Sequence, residues 1–69
     1  MWNTEKEIKE NDVIKFIGQN SQFGMTTNEV RIKFGIRYEK TLRILEKIME
    51  KNKIEKYLLG HQTMWRLAI

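Results

Sequence analysis

The stretch from Thr26 to Lys51 constrains the fold of this 69-residue chain more than any other. Thr26 is followed three residues later by Glu29, which is the spacing of a capping box at the start of a helix. Gly35 stands where a helix commonly ends in a left-handed residue. The sequence therefore predicts a short helix that begins after Thr26 and ends at Gly35, with a longer helix directly after it.

The longer helix, predicted over residues 37–51, has a wide apolar arc and a divided polar arc. At about 100° per residue, one continuous sector holds Tyr38, Thr41, Leu42, Leu45, Ile48 and Met49. Glutamates fill half of the remaining surface. The other half holds Lys40, Arg43, Lys47 and Lys51, with Arg37 at its margin. This basic half either contacts phosphates or is a solvated face held by pairs such as Glu39–Arg43. A short helix, a glycine turn and a long helix form a helix-turn-helix arrangement.

After Ile54 the apolar period changes from 3.6 residues to 2, which is typical of strands. Gly60 and His61 fit a two-residue type II′ turn, because that turn needs glycine at its first central position. A β-hairpin is therefore predicted, and its turn sets the register. The cross-strand pairs are Ile54–Leu67, Glu55–Arg66, Lys56–Trp65, Tyr57–Met64 and Leu58–Thr63.

The two faces of this hairpin are expected to differ in their surroundings. The face that covers the helices carries Ile54, Trp65 and Leu67. The opposite face carries Tyr57, Leu59 and Met64. Because that outer face is also partly apolar, it is expected to meet residues 1–10, another subunit or a ligand surface. Lys56 is expected to lay its aliphatic stem along the Trp65 ring and keep its ammonium group in water.

Residues 1–24 are predicted to form a further helix and the loop after it. Asn11 and Asp12 provide a start signal, and Thr4 with Glu7 provides an earlier alternative. The residues expected to end the helix and form the loop are Gly18, Asn20, Ser21 and Gly24. Met25 is a candidate for a strand of one or two residues beside the hairpin. We expect one domain over residues 1–69, in which residues 1–10 are loosely ordered, dock on the core or contact a partner.

The composition argues against several classes of function. The chain has no cysteine and one histidine, so disulfides and zinc sites are not expected. No apolar run approaches the roughly 20 residues that span a bilayer, and no signal-peptide pattern is present, so we expect a cytoplasmic protein without a membrane partner. His61 has no nucleophile or second base beside it in the sequence. We therefore expect neither an enzyme, nor a cofactor, nor a small-molecule ligand.

The net charge of +4 is unevenly distributed along the chain. Residues 25–69 hold ten Lys or Arg and five Glu, whereas residues 1–24 hold three Lys and four acidic side chains. The positive field therefore belongs to the helix-turn-helix and the hairpin, where a polyanion would bind. A basic surface that serves only solubility is the alternative.

The second half of the chain resembles a known superfamily. The pattern is Thr27-x-x-Val30, Phe34-Gly35-Ile36, Arg43-x-Leu45-x-x-Ile48, Asn52-Lys53-Ile54 and Trp65-Arg66-Leu67. It is similar to the winged helix-turn-helix superfamily, especially the short transcription regulators of archaea and their viruses and plasmids. The resemblance implies an α+β fold with three helices followed by a two-stranded β-hairpin wing at about 54–69.

The same resemblance implies which residues contact DNA. At the start of the third helix, the major-groove residues would be Arg37, Tyr38, Glu39, Leu42 and Arg43. The wing tip, His61 and Gln62, would contact the backbone or the minor groove. The spacing also resembles winged helices that bind left-handed DNA. Those carry asparagine and tyrosine where this chain has Leu42 and Glu46, and wing prolines that it lacks, so left-handed DNA is not expected.

The expected function is therefore duplex-DNA binding by a transcription regulator. Phosphate contacts are expected from Lys40, Arg43, Lys47 and Lys56, and base or shape readout from Arg37, Tyr38 and Arg43. One small domain contacts few base pairs, so a homodimer on a two-fold site is expected. The alternative is a winged helix that docks on replication or transcription machinery. RNA binding is disfavoured because no exposed aromatic pair suited to stacking bases is evident.

Overall fold

The computed structural model describes residues 7–20 and 23–68 and contains three helices and a three-stranded antiparallel sheet. In chain order the elements are α1 (Glu10–Asn20), β1 (Met25–Thr26), α2 (Thr27–Phe34), α3 (Tyr38–Glu50), β2 (Ile54–Leu59) and β3 (Gln62–Leu67). The predicted α+β class is confirmed. Within the two described ranges, no helix has the length and apolar character needed to cross a bilayer.

Helix α1 begins at Glu10, one residue before the predicted start signal. Residues 7–9 are not helical, and the alternative start at Thr4 lies outside the described residues, as does most of the predicted N-terminal segment. The prediction that Gly18 ends the helix is wrong, because α1 continues to Asn20. Gly18 instead provides a flat surface for Leu67, whose Cδ1 would lie 2.8 Å from a Cβ at this position.

Helix α2 begins and ends as its capping pattern predicts. The Thr26 N–H donates to Glu29 Oε1 at 2.9 Å, and the Glu29 N–H donates to Thr26 Oγ1 at 3.1 Å. Gly35 closes the helix in the left-handed region, with φ 64° and ψ 41°, and its N–H donates to the Arg31 carbonyl at 2.9 Å. Both ends of α2 are therefore satisfied locally, which confirms the predicted capping box and glycine turn.

Replacing Thr26 with alanine is expected to destabilise the domain by about 1 kcal/mol, because the Glu29 N–H loses its acceptor. Urea unfolding followed by circular dichroism measures the change. Thr26→Ser is the matched control, since it keeps the hydroxyl oxygen and is expected to retain most of the stability. Equal losses in the two variants would contradict a capping role for this side chain.

Helix α3 is one residue shorter at each end than the predicted 37–51, because Arg37 and Lys51 occupy its caps. Thr41, Leu45 and Ile48 are fully buried. The Thr41 hydroxyl donates to the Arg37 carbonyl at 2.8 Å, so this buried polar group is satisfied within the helix. At the other end, Lys51 Nζ lies 2.6 Å from Glu10 Oε1, which connects α3 to the start of α1.

The β2–β3 register agrees with the predicted pairs, from Ile54 opposite Leu67 to Leu58 opposite Thr63. Gly60 has φ 65°. His61 does not have a positive φ, because Asn52 is the sole described non-glycine residue that has one. This combination is what a type II′ turn at Gly60-His61 requires. The sheet nevertheless has three strands rather than the predicted two. β1 pairs with the second edge of β3, and the strand order is β1-β3-β2. The strand considered at Met25 is confirmed.

The two faces of the sheet differ partly from expectation. Ile54 and Trp65 are buried against the helices as predicted, but Leu67 remains 42% exposed. Met64, predicted on the outer face, is only 7% exposed. Two neighbours explain this: Thr26 and Tyr57 flank Met64 in the register, and the Tyr57 hydroxyl crosses β3 to donate to the Phe23 carbonyl. The hydrophobic core consists of Val13, Ile17, Met25, Val30, Leu45, Ile48, Ile54 and Trp65.

Candidate nucleic-acid interface

An open cleft of about 290 Å³ separates the tip of the β-hairpin from the first residues of α2 and α3. Its walls are formed by Thr26, Thr27, Asn28, Tyr38, His61, Gln62 and Thr63. Three residues predicted to contact DNA, Tyr38, His61 and Gln62, therefore lie at one surface although the turn is more than 20 residues beyond Tyr38 in the chain. This cleft brings the start of α3 and the hairpin tip together.

A buried hydrogen bond holds the hairpin in place beside the cleft. The Trp65 Nε1–H donates to Thr27 Oγ1 at 2.8 Å, and both side chains are buried. This bond joins the middle of β3 to the first residue of α2. Lys56 Nζ lies 5.7 Å from the centroid of the Trp65 ring, and Lys56 stays exposed. The expected packing of Lys56 on Trp65 is confirmed.

The start of α3 presents two predicted site residues to solvent. Arg37 is the N-cap and is exposed, and its side chain makes no capping hydrogen bond. Tyr38 is 50% exposed where it lines the cleft. One and two turns further on, the same side of α3 carries Leu42 and Glu46. Tyr38 is therefore the α3 side chain that lines the cleft.

The basic side chains of α3 lie on another part of the helix surface. At about 100° per residue, Arg43 is about 140° around the helix from Tyr38, Lys40 about 160° and Lys47 about 180°. Arg43 and Lys47 are exposed, and Lys40 is half-buried. Arg43 points away from the core, opposite the buried Thr41. Lys40 and Lys47 lie on the side of α3 opposite Tyr38, and neither lines the cleft.

The charges on the hairpin are also unevenly placed. On the outer face, Arg66 Nε lies 3.3 Å from Glu55 Oε1, and the Arg66 guanidinium carbon lies 4.2 Å from the centroid of the Tyr57 ring. The positive charge of Arg66 is therefore opposed by a carboxylate. Lys56 projects from the other face, the one that carries Thr63 of the cleft. The hairpin thus presents its positive charge on the cleft side.

Four residues that line the cleft were not among the predicted site residues, namely Thr26, Thr27, Asn28 and Thr63. A signal for Thr63 was available, because the predicted register places it on the same hairpin face as Trp65. For Thr26, Thr27 and Asn28, the capping pattern identified the start of α2 but not which part of the chain this helix end would face. The hydrogen bond between Thr27 and Trp65 and the pairing of Thr26 with Met64 show that this helix end faces the hairpin.

The described residues hold no cluster of three or more histidine, cysteine or acidic side chains that could bind a metal ion. Comparison of the chain with models of protein families, with curated proteins and with solved structures returns no match. Function is therefore inferred from the surface itself.

Proposed function

We propose that the protein is a winged helix-turn-helix module that binds duplex DNA and acts as a transcription regulator. One observation carries the proposal: Tyr38 at the start of α3 and His61 and Gln62 at the hairpin tip line the same cleft. Helix α2, the Gly35 turn and α3, followed by the hairpin, have the order of elements that this use requires. The positive charge of residues 25–69 supplies attraction for a polyanion.

In this proposal α3 enters the major groove, which is about 12 Å wide and admits one helix. Arg37, Tyr38 and Arg43 read base edges or groove shape. Arg43 contacts a phosphate at every sequence, and where guanine is within reach its guanidinium can also donate to O6 and N7 together. Glutamates on the outward side of α3, such as Glu39, accept from cytosine N4. The wing tip contacts the backbone beside the groove.

The basic flank of α3 has a role in the same geometry. A helix lying in the major groove has a phosphate strand on each side. Lys56 and the hairpin tip would contact the strand on one side. Lys40 and Lys47, on the opposite flank, would contact the other strand. The separation of these lysines from the cleft is therefore what a groove-bound helix needs, and each phosphate contact adds to the salt dependence of binding.

Replacing Arg43 with alanine is expected to weaken duplex binding about tenfold at every sequence tested and to lower the slope of log affinity against log salt by about 1. Fluorescence anisotropy of a labelled duplex, repeated over a series of salt concentrations, measures both quantities. Lys47→Ala is expected to lower the slope similarly, because it removes a contact to the second strand. Lys15→Ala removes the same charge from an exposed position on α1, away from α3, and is the matched control.

Binding that is insensitive to salt, or equal affinities for the Arg43 and Lys15 variants, would overturn the DNA proposal. A protein-binding module would then be favoured. The observation behind that second candidate is the exposure of two neighbouring apolar side chains, Leu58 and Leu59, at the hairpin end of β2. If apolar burial supplies the affinity, the amount of partner protein captured in a pull-down would not fall as the salt concentration rises.

A further inference from the structure

Strand β2 is an edge strand of the sheet, because within the described residues it pairs only with β3. In an antiparallel pair, the residues beside a two-residue turn exchange both hydrogen bonds, and the pattern then alternates along the strand. Leu59, Tyr57 and Glu55 therefore bond to β3. The Ala68 N–H, which donates to the Lys53 carbonyl at 3.1 Å, continues the same alternation. The backbone N–H and C=O groups of Lys56 and Leu58 consequently point out of the sheet.

This edge also carries exposed apolar side chains. Leu58 is 73% exposed on one face of the sheet, and Leu59 is 49% exposed on the other. Edge strands are usually protected by proline, by a bulge or by charged side chains that point outward. β2 has no proline and no bulge in its pairing, and the charge of Lys56 lies over the Trp65 ring. An added strand would therefore satisfy backbone groups and bury leucine on both faces.

We infer that β2 pairs antiparallel with β2 of a second copy of this chain, about a two-fold axis at Tyr57. A second copy suits this edge because the strand itself carries one Glu and one Lys, so the two paired strands bring no net charge together. Opposed residues in an antiparallel pair have their side chains on the same face of the sheet, and side chains alternate between the faces along each strand. The two-fold axis must therefore lie at a residue that is opposed by the same residue of the second copy.

The choice of Tyr57 follows from charge and hydrogen bonding. An axis at Lys56 would place two lysines directly opposite each other, which is unfavourable. With the axis at Leu58, Lys56 would have to pair with Gly60 of the second copy, whose φ of 65° is not that of a strand. An axis at Tyr57 places Lys56 opposite Leu58 of the second copy, and the reverse. Their outward groups then form four hydrogen bonds, and no like charges stand directly opposite each other.

The pairing would join two sheets into one of six strands with the helices of both copies on the same face. With two α3 helices on one side of a continuous sheet, the dimer would suit a two-fold DNA site. This consequence deepens the proposed function and is the one part of the inference that rests on DNA binding. The association itself needs no DNA. Because the paired segment is short, it buries less than a standard interface, and we expect micromolar to millimolar affinity.

Sedimentation velocity without DNA, at protein concentrations up to about 1 mM, tests the pairing through charge. Leu58→Lys faces Lys56 of the second copy and is expected to weaken dimerisation about tenfold relative to Leu58→Glu, whose carboxylate faces the same lysine. The double variant Lys56→Glu/Leu58→Lys is expected to restore it. Ile32→Lys, at a comparably exposed position on α2, is the control and should leave dimerisation unchanged. A wild-type monomer at every concentration, or equal behaviour of the two Leu58 variants, would overturn the inference.

The absence of cysteine from the chain allows a second test of the axis. Opposed residues at the non-hydrogen-bonded position have Cα atoms about 4.5 Å apart, a separation that a disulfide can bridge. Tyr57→Cys is therefore expected to form a covalent dimer under mild oxidation, whereas Ile32→Cys is not. Circular dichroism establishes that both variants are folded. Equal cross-linking of the two variants would contradict the axis at Tyr57. If the protein forms dimers but does not bind DNA, the proposed function is wrong and the inferred pairing stands.

Discussion

Trp65→Ala is expected to leave the protein mostly unfolded at 25 °C. Trp65 is fully buried among the core residues of all three helices and of the sheet. Truncation of a buried tryptophan costs about 3–5 kcal/mol, through lost burial and the cavity that remains. A core of this size supplies about 3–5 kcal/mol of net stability, so one such change removes most of it. The variant also leaves Thr27 Oγ1 without its donor.

Far-ultraviolet circular dichroism and thermal melting measure this loss directly. Trp65→Phe is the control, because it keeps a buried aromatic ring while it removes the indole N–H and part of the ring system. It is expected to cost about 1–3 kcal/mol, and Thr27→Val a similar amount, since each leaves one buried polar partner unsatisfied. If the hydrogen bond is the cause, the double variant costs less than the sum of the two. A cooperative melt of Trp65→Ala near the wild-type temperature would contradict the central position of this side chain.

Gly24→Ala is expected to destabilise the domain by about 3 kcal/mol or more. Gly24 has φ 88°, a left-handed conformation that costs alanine about 1–2 kcal/mol. A Cβ there would also lie 2.1 Å from the Trp65 carbonyl oxygen. That oxygen belongs to the backbone of the central strand, so it cannot move away as a flexible side chain could. The clash would force β1 away from β3 and expose the third strand of the sheet.

Two other glycines provide matched controls for the free-energy cost of placing alanine at a positive φ. Gly35 and Gly60 have φ 64° and 65°, and a Cβ at either position would meet open space. Their alanine variants should therefore lose only the conformational cost of about 1–2 kcal/mol. Urea unfolding of the three variants separates strain from steric clash. A Gly24→Ala protein as stable as Gly60→Ala would contradict the close approach of Gly24 to β3.

The features predicted correctly are those that depend on residues near each other in the chain. The Thr26–Glu29 capping box spans three residues, and the Gly35 turn follows from the conformation that glycine adopts without cost. The hairpin register follows from the two-residue turn, which gives the β2–β3 pairs from that point onward. The apolar arc of α3 follows from its helical period. Each of these is a local property of the backbone.

The predictions that needed correction concern contacts between distant parts of the chain. The third strand exists because Met25 pairs with Trp65, a contact that requires the loop at Gly24 to reach the edge of β3. Helix α1 continues through Gly18, where the absence of a side chain lets Leu67 pack closely. Met64 is covered by a side chain from β2 that crosses the sheet. Apart from the candidate strand at Met25, no local pattern indicated these contacts.

The candidate site divides in the same way. By itself the sequence determined which residues are basic, where α3 starts and where the hairpin turns. Only the tertiary structure decided that Tyr38 faces His61 and Gln62 while Lys47 lies on the far flank of α3. The reason is that helical period fixes the angles between side chains on one helix, but not the direction in which the helix faces its neighbours. Here that direction is set by long-range packing, with the buried bond from Trp65 to Thr27 holding the hairpin beside α2.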